Sequence, residues 1–135
     1  MYKNILLAAD GSEHSKRAAA HAIQLAKLVP DAEVEIISVL DLSKVKTEVL
    51  HSELKQKRQQ GLAEIENLFK QENVTYKLTI ERGEPGPTIV SYANKHAFDM
   101  IIIGSRGLNA LQGMVLGGVS HKVAKRVHCP VMIIK

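Results

Sequence analysis

The chain contains the stretch Ile101-Ile102-Ile103-Gly104-Ser105-Arg106-Gly107, followed after nine residues by Gly117-Gly118-Val119-Ser120. An apolar run that stops at a glycine predicts a buried parallel strand entering a turn, and the later glycine pair stands where a new amphipathic pattern begins. Glycines permit positive φ and let a ligand approach the backbone, while a helix start offers unpaired N–H groups. The stretch therefore predicts a phosphate cradle, with Gly104 and Gly107 on one wall and residues 117–120 on the other.

Strand-like segments alternate with helical patterns along the whole chain. The predicted strands are Ile5–Ala9, Val34–Leu40, Tyr76–Ile80, Met100–Ile103 and Pro130–Ile134. The order βαβαβαβαβ, with no linker or repeat, predicts one α/β domain over residues 1–135 with a mainly parallel sheet. Strand order does not follow from the pattern. If the first and fourth strands are neighbours where the winding reverses, Asp10 and Gly104 lie at one crevice.

The connecting segments carry their own predictions. Ser12 is suited to cap the first helix, and the turn signal at Gly83–Pro87 places Pro87 in the first turn of a later helix. The polar run Lys55–Gln60 predicts a solvated helix face. The wider segment 44–60 is compatible with either a mobile flap or a packed helix. The loop 108–116 is apolar at several positions and is expected to pack on the domain.

Composition excludes several classes of protein. The formal charge of +4 is too diffuse for a nucleic-acid binder, and two Phe and three Tyr are too few for base-stacking platforms. No segment is apolar for long enough to cross a membrane. A single Cys129 and the absence of a visible signal peptide favour the cytoplasm. The six histidines make no metal-type spacing, so no metal held by protein side chains is expected.

Each candidate site residue also has an ordinary structural explanation. The glycine segment is neither a Walker A loop nor a GxGxxG fingerprint, and two turns with helix-capping glycines would explain it. Asp10 either caps the next helix or accepts a hydrogen bond from a ribose hydroxyl. Arg106 either contacts phosphate or is solvated. No Ser-His-Asp or Cys-His arrangement can be assembled from local signatures, so no catalytic residue is predicted.

Taken together, the motifs resemble the universal stress protein family over the whole length of the chain. The matching pieces are Ile5–Ser12 with Ser15, Gly104–Leu108, Gly117–Ser120 and Cys129–Val131. ATP-binding members of that family carry G-x2-G-x9-G-[ST], and Gly104, Gly107 and Gly117 match its spacing without a gap. Several separated motifs in the right order make the resemblance far more specific than any one of them.

The resemblance implies a five-stranded parallel sheet of order 3-2-1-4-5 with helices on both faces, an adenine nucleotide alpha hydrolase-like fold. It implies adenine near Ala8 and Val39, ribose beside Asp10, and phosphates between the glycine turn and the last helix, often with Mg or Mn on the phosphates. The complete set of predicted nucleotide-binding residues is Ala8, Asp10, Val39, Ile103, Gly104, Arg106, Gly107, Gly117, Gly118, Val119 and Ser120.

One position departs from the family motif, because Gly118 stands where ATP-binding members carry a hydroxyl. A hydrogen bond to a charged group contributes about 1.5–3 kcal/mol, so ATP binding is expected to survive in weakened form, helped by Ser120. Many family members are homodimers joined through the last strand. An apolar edge at Val131, Met132, Ile133 and Ile134 independently favours such pairing.

The leading interpretation is an ATP-binding cytoplasmic stress or signalling protein, in which ATP is a regulator or a slowly hydrolysed ligand. The alternative is a homodimeric interaction module of the same fold that binds no nucleotide, and Gly118 is its best argument. A true adenine-nucleotide enzyme is the third possibility. The absence of a P-loop lysine and of an obvious base argues against it.

Overall fold

The computed structural model describes residues 1–43, 46–107 and 117–135, so the predicted packing of the loop 108–116 lies outside the described residues. The strands are β1 (Asn4–Ala8), β2 (Glu33–Leu40), β3 (Tyr76–Arg82), β4 (Met100–Gly104) and β5 (Val131–Ile134). The helices are α1 (Glu13–Leu28), α2 (Glu48–Gln71), α3 (Pro85–Lys95) and α4 (Gly118–Arg126). The predicted alternation of strands and helices is confirmed.

The five strands form one parallel sheet in the order β3-β2-β1-β4-β5. β1 therefore lies between β2 and β4, with Leu7 in register with Ile36 on one side and Ile102 on the other. This is the order implied by the family resemblance. Because chain winding reverses between β1 and β4, their carboxyl ends border the crevice where such sheets bind ligands.

Alternating side chains of each strand enter two separate cores. Ile5 and Leu7 pack with α1 and α2 on one face, while Leu6 and Ala8 pack with α3 and α4 on the other. A two-residue period on a strand whose two faces are both covered gives the continuous apolar run seen in the sequence. The crevice at the strand ends thus has α1 and α2 on one side and α3 and α4 on the other.

The helix starts agree with the sequence in part. Ser12 caps α1 as predicted, its side chain accepting a hydrogen bond from Ser15 N–H at 3.2 Å. α3 begins at Pro85, two residues before Pro87, because the first proline already has the φ of a first helical residue. The segment left open between flap and helix is helical from Glu48 onward, with Thr47 as its cap. No helix in the three described ranges is long and apolar enough to cross a membrane.

Candidate functional site

The carboxyl ends of β1 and β4 bring Asp10 against the glycine turn. A methyl group placed on Gly107 would lie 2.5 Å from Asp10 Oδ2, so the carboxylate rests directly on the glycine Cα. The other carboxylate oxygen, Oδ1, accepts the backbone N–H of Ser12 at 2.9 Å. Asp10 thus serves the start of α1 with one oxygen and faces the crevice with the other. The hydrogen bond to Ser12 N–H supports the structural explanation of this residue, and its contact with ribose stays a prediction.

Three of the predicted nucleotide-binding positions lie on one face of the sheet. Ala8 is in register with Ile103 across β1 and β4, and Val39 reaches the same face from β2. All three side chains are buried in the core shared with α3 and α4. The structure therefore brings these residues together next to Asp10, where they form an apolar floor below the strand ends.

The second wall of the predicted cradle is attached to the first by backbone hydrogen bonding. Gly117 N–H donates to Ser105 C=O at 2.7 Å, and a methyl group on Gly117 would lie 4.0 Å from Gly107 N. Gly117 is the N-cap of α4, makes no side-chain capping bond, and is followed by a first turn without an acidic residue. Among the described residues no side chain caps this turn, so its N–H groups and the positive end of its dipole have the properties that suit an anion.

The residues that open α4 have different environments. Gly118 is exposed, and a methyl group added to it would have no neighbour within 4 Å among the described residues, which leave room for a side chain. Ser120 is buried, and its hydroxyl donates to Gly104 C=O at 2.6 Å. Val119 is half-buried against the core below. The hydroxyl of Ser120 therefore ties α4 to the end of β4, and its donor is already in use.

Gly104 is a glycine because a helix packs on it. A methyl group on Gly104 would lie 2.9 Å from His14 Cβ and 3.1 Å from the His14 carbonyl group. In the described part of the chain, positive φ occurs among glycines at Gly11 and Gly83, neither of which belongs to the glycine segment. The described glycines of this segment therefore do not use the positive φ that glycine permits, and close packing or open space accounts for them.

The close approach of α1 also brings His14 into the neighbourhood of the cradle, which the sequence did not predict. Burial lowers the pKa of His14, the positive charges of Arg17 and Arg106 lower it further, and Asp10 partly opposes them. Arg106 is half-buried, and its Nε is buried without a hydrogen-bond partner among the described residues. The crevice thus contains a positively charged group with an unused donor.

Helix α2 contributes a residue that sequence reasoning missed. The run Lys55–Gln60 was predicted to face solvent, and for Arg58 this prediction is wrong. Its Nη1 donates to Val39 C=O at 2.8 Å and lies 3.3 Å from Ser38 Oγ. Burial lowers the pKa of the Arg58 guanidinium, and the nearby Asp10 partly opposes this shift. Arg58 therefore belongs to the crevice.

A contact between two glycines explains how α2 comes so near. A methyl group on Gly61 would lie 2.7 Å from both the Cα and the carbonyl oxygen of Gly11, so neither residue tolerates a side chain there. Gly11 also has a φ of +83°, which favours glycine on its own. The sequence signal was a glycine inside a helical pattern, since such a glycine costs about 1 kcal/mol relative to alanine and calls for a packing reason.

Within the described ranges, no group of three or more His, Cys, Asp or Glu side chains is placed to hold a metal ion. His121 lies on α4 and His128 lies beyond its end, and both are exposed. The polar groups that converge on the crevice are instead the Asp10 carboxylate, two arginine side chains and the N-terminus of α4. This set suits a ligand with hydroxyl groups at one end and negative charge at the other.

Two solved complexes share this fold. A universal stress protein bound to cAMP superposes with a TM-score of 0.72 at 24% identity, covering 99% of this chain and 97% of the other. A universal stress protein from Archaeoglobus fulgidus bound to dAMP superposes with a TM-score of 0.76 at 21% identity, covering 99% and 98%. At these identities the likeness establishes the fold, and the ligands are facts about those proteins.

Closer relatives are also known. Universal stress protein MJ0531 of Methanocaldococcus jannaschii is 34% identical over all of this chain and 83% of its own length. Universal stress protein YxiE of Bacillus subtilis is 32% identical over the full length of both chains. The solved structure of hypothetical protein MJ0577 is 32% identical with a TM-score of 0.85, covering 100% of this chain and 96% of its own. Since the family model for universal stress proteins also matches residues 1–135, the chain belongs to the universal stress protein family.

Proposed function

We propose that this protein binds an adenine nucleotide, with ATP as a regulator or slowly hydrolysed ligand in a cytoplasmic stress or signalling role. The observation that carries the proposal is the uncompensated N-terminus of α4, joined through Gly107 to the Asp10 carboxylate. A helix start suited to an anion and a nearby carboxylate that can accept a hydroxyl hydrogen bond match the two ends of a nucleoside phosphate, its phosphate and its ribose.

In this proposal each part of the crevice binds one part of the nucleotide. The base lies over Ala8 and Ile103 and uses the backbone of Val39, while Asp10 accepts a hydrogen bond from a ribose hydroxyl. The N–H groups at the start of α4 bind the phosphates. Further proposed phosphate contacts come from the glycine turn and from the Arg106 side chain. The full set of proposed phosphate-binding residues is Gly104, Arg106, Gly107, Gly117, Gly118, Val119 and Ser120.

The structure refines two of these roles. Ser120 donates to Gly104 C=O, so we assign its hydroxyl to positioning α4 and its backbone N–H to the ligand. Gly104 lies under His14, so its part is to allow that packing. A divalent cation such as Mg or Mn fits as a companion of the phosphates, since the described side chains offer it no cage and phosphate oxygens are hard ligands.

Solved neighbours with bound cAMP or dAMP support an adenine nucleotide as the ligand class. The extra phosphates of ATP require the open anion site at α4. The test is the thermal melt of the purified protein with ATP and magnesium, with AMP as the control. A ligand at about 100 times its dissociation constant stabilises the fold by about 2.7 kcal/mol.

The expected result is a higher melting temperature with ATP and a smaller rise with AMP. Asp10→Ala should remove the effect of both adenine nucleotides, because the ribose contact serves either ligand. A melt that no nucleotide shifts, in a protein that is otherwise folded, would contradict the proposal and favour the nucleotide-independent interaction module.

We also propose a homodimer joined through β5, as an expectation that does not depend on nucleotide. β5 is an edge strand, and Val131, Met132 and Ile133 remain half-exposed on it while Ile134 is buried. An unpaired apolar edge is an aggregation hazard that self-pairing removes. Light scattering after gel filtration should give twice the chain mass, and Met132→Lys should give a monomer. Ile80→Lys on the opposite edge strand, where Ile80 is 56% exposed, is the matched control.

A further inference from the structure

The backbone of β2 presents a recognition edge at Val39. Glu33 N–H donates to Lys3 C=O and Ile37 C=O accepts from Ala9 N–H, so odd-numbered residues of β2 face β1. Val39 continues this series past Ala8–Ile37, the last residue pair in register between β1 and β2. Because alternate residues of a parallel strand bond to opposite neighbours, the polar backbone atoms of Val39 face the crevice.

Arg58 occupies this edge. Its Nη1 donates to Val39 C=O at 2.8 Å, a distance typical of a strong hydrogen bond. The side chain is held there because Gly61, one turn farther along α2, packs against Gly11 and fixes the position of the helix. Its Nε is buried and has no hydrogen-bond partner within the described ranges. The guanidinium therefore has donor capacity left for a ligand that reaches Val39.

Few other groups compete for the role of base contact at this end of the sheet. Phe69 packs on Tyr76, the first residue of β3, and Tyr92 packs on Phe98, which precedes β4. Tyr2, the remaining aromatic residue, precedes β1. All five Phe and Tyr side chains thus belong to the amino ends of the strands. The guanidinium of Arg58, in contrast, contacts the Val39 edge directly.

We propose that Arg58 is a base-specificity residue that makes the Val39 edge accept a 6-oxo purine as well as adenine; this proposal rests on the nucleotide site proposed above. A bare carbonyl selects adenine, whose 6-amino group donates to it, and repels hypoxanthine, whose O6 is an acceptor. A guanidinium placed on that carbonyl acts in the opposite direction, since its N–H groups donate to O6 and oppose the 6-amino group. The two effects together bring the affinities for the two bases close to each other.

The test compares AMP with IMP by calorimetry in the wild type, in Arg58→Met and in Lys57→Met. AMP and IMP carry the same phosphate and ribose, so effects of overall charge cancel in the ratio of their dissociation constants. Lys57 is an exposed cation on the same helix and is the matched control for the lost charge. Arg58→Leu is the second variant if the methionine variant is poorly folded.

In the wild type we expect AMP and IMP to bind within about threefold of each other. Removing the guanidinium should raise the preference for AMP by about tenfold, through tighter AMP and weaker IMP binding, which is the scale of one hydrogen bond to a charged group. Lys57→Met should leave the ratio unchanged. A ratio that does not move in Arg58→Met, or that moves towards IMP, overturns the inference while the proposed nucleotide site stands.

The two proposals fail in distinguishable ways. If the wild type binds neither nucleotide and Arg58→Met binds AMP, both proposals are overturned for the wild type, because the Val39 edge then accepts no purine while Arg58 is in place. If neither protein binds either nucleotide, although both melt cooperatively, both proposals are overturned. Cooperative melting in the absence of ligand separates these outcomes from loss of the fold.

Discussion

Helices α1 and α4 both begin beside the same crevice, yet their first turns are built in opposite ways. At α1 the side chain of Ser12 accepts a backbone N–H, and Glu13 places a negative charge in the first turn. At α4 the cap is Gly117, no side chain accepts a first-turn N–H, and the first turn carries no acid. The first helix start is neutralised by its own residues, and the second is left for another group.

This difference separates a structural helix start from the one proposed to bind phosphate. An N-terminus with a cap and an acidic residue has little left to offer an anion, because its N–H groups and its dipole are already compensated. An N-terminus made of two glycines keeps both, and Gly118 adds open space in front of them. The contrast favours α4 as the proposed phosphate site, although Ser12 and Asp10 at the start of α1 border the same crevice.

The largest expected effect comes from making α4 resemble α1. Gly118→Asp places a carboxylate in the open space before the first turn, where it compensates the dipole and repels phosphate. We expect ATP affinity to fall by at least about 100-fold while the free energy of unfolding rises by about 0.5 kcal/mol. Calorimetry and a melt in the absence of ligand measure the two quantities.

Gly118→Asn is the control, because it has the same size without the charge. It should keep most of the affinity. Equal losses in the two variants would show that the side chain blocks the site by its volume, and the electrostatic contrast between the two helices would then be wrong.

A smaller loss is expected at the contact that joins the two helix starts. Gly107→Ala puts a methyl group 2.5 Å from Asp10 Oδ2, so the carboxylate must move away from its position beside the cradle. Because misplacement of a contact group by about 1 Å can cost two orders of magnitude, we expect adenine-nucleotide affinity to fall by about 30-fold. The measurement is the dissociation constant of AMP.

A double-mutant cycle with Asp10→Ala shows whether this loss passes through the carboxylate. If it does, Gly107→Ala should add little to the loss already caused by Asp10→Ala. Fully additive losses would mean that Gly107 acts on the nucleotide by another route, such as direct obstruction of the phosphates.

Binding should be strengthened by restoring the hydroxyl of the family motif. Gly118→Ser fits, since an added Cβ meets nothing within 4 Å. One further hydrogen bond to a charged phosphate should tighten ATP binding by about tenfold. Gly118→Ala is the matched control, because it changes backbone entropy in the same way without a hydroxyl. If both variants tighten binding equally, the hydroxyl is not the missing element.

Much of this contrast could be anticipated from residues alone. The cap at Ser12 and the glycine start of α4 are local features, and local hydrogen bonding determines them. The strand positions also follow from apolar runs, because a strand buried on both faces has no polar side. The strand order came from the family resemblance, since hydrophobic periodicity says nothing about which strands are neighbours.

The parts that could not be anticipated are contacts between distant segments. The packing of His14 on Gly104 and of Gly61 on Gly11 depends on how helices cross the sheet, which no local pattern encodes. Arg58 stood in a run of six polar residues and gave no sign of its own. Only its position three residues before a mid-helix glycine hinted that this face of α2 approaches the β1–α1 turn.

The smallest expected effect is at α1, and it concerns stability. Ser12→Ala removes the capping hydroxyl of a residue that is only 7% exposed, and the Ser15 N–H loses this hydrogen bond. We expect the free energy of unfolding to fall by about 1 kcal/mol, or about 4 °C in melting temperature, while ATP affinity stays within about twofold. Gly117→Ala at the corresponding position of α4 should lower the melting temperature less, since Gly117 makes no side-chain capping bond that could be lost. If Ser12→Ala loses as much affinity as Gly107→Ala, the start of α1 also takes part in nucleotide binding. Ser12 would then act on the ligand through the Asp10 carboxylate, to which its N–H donates.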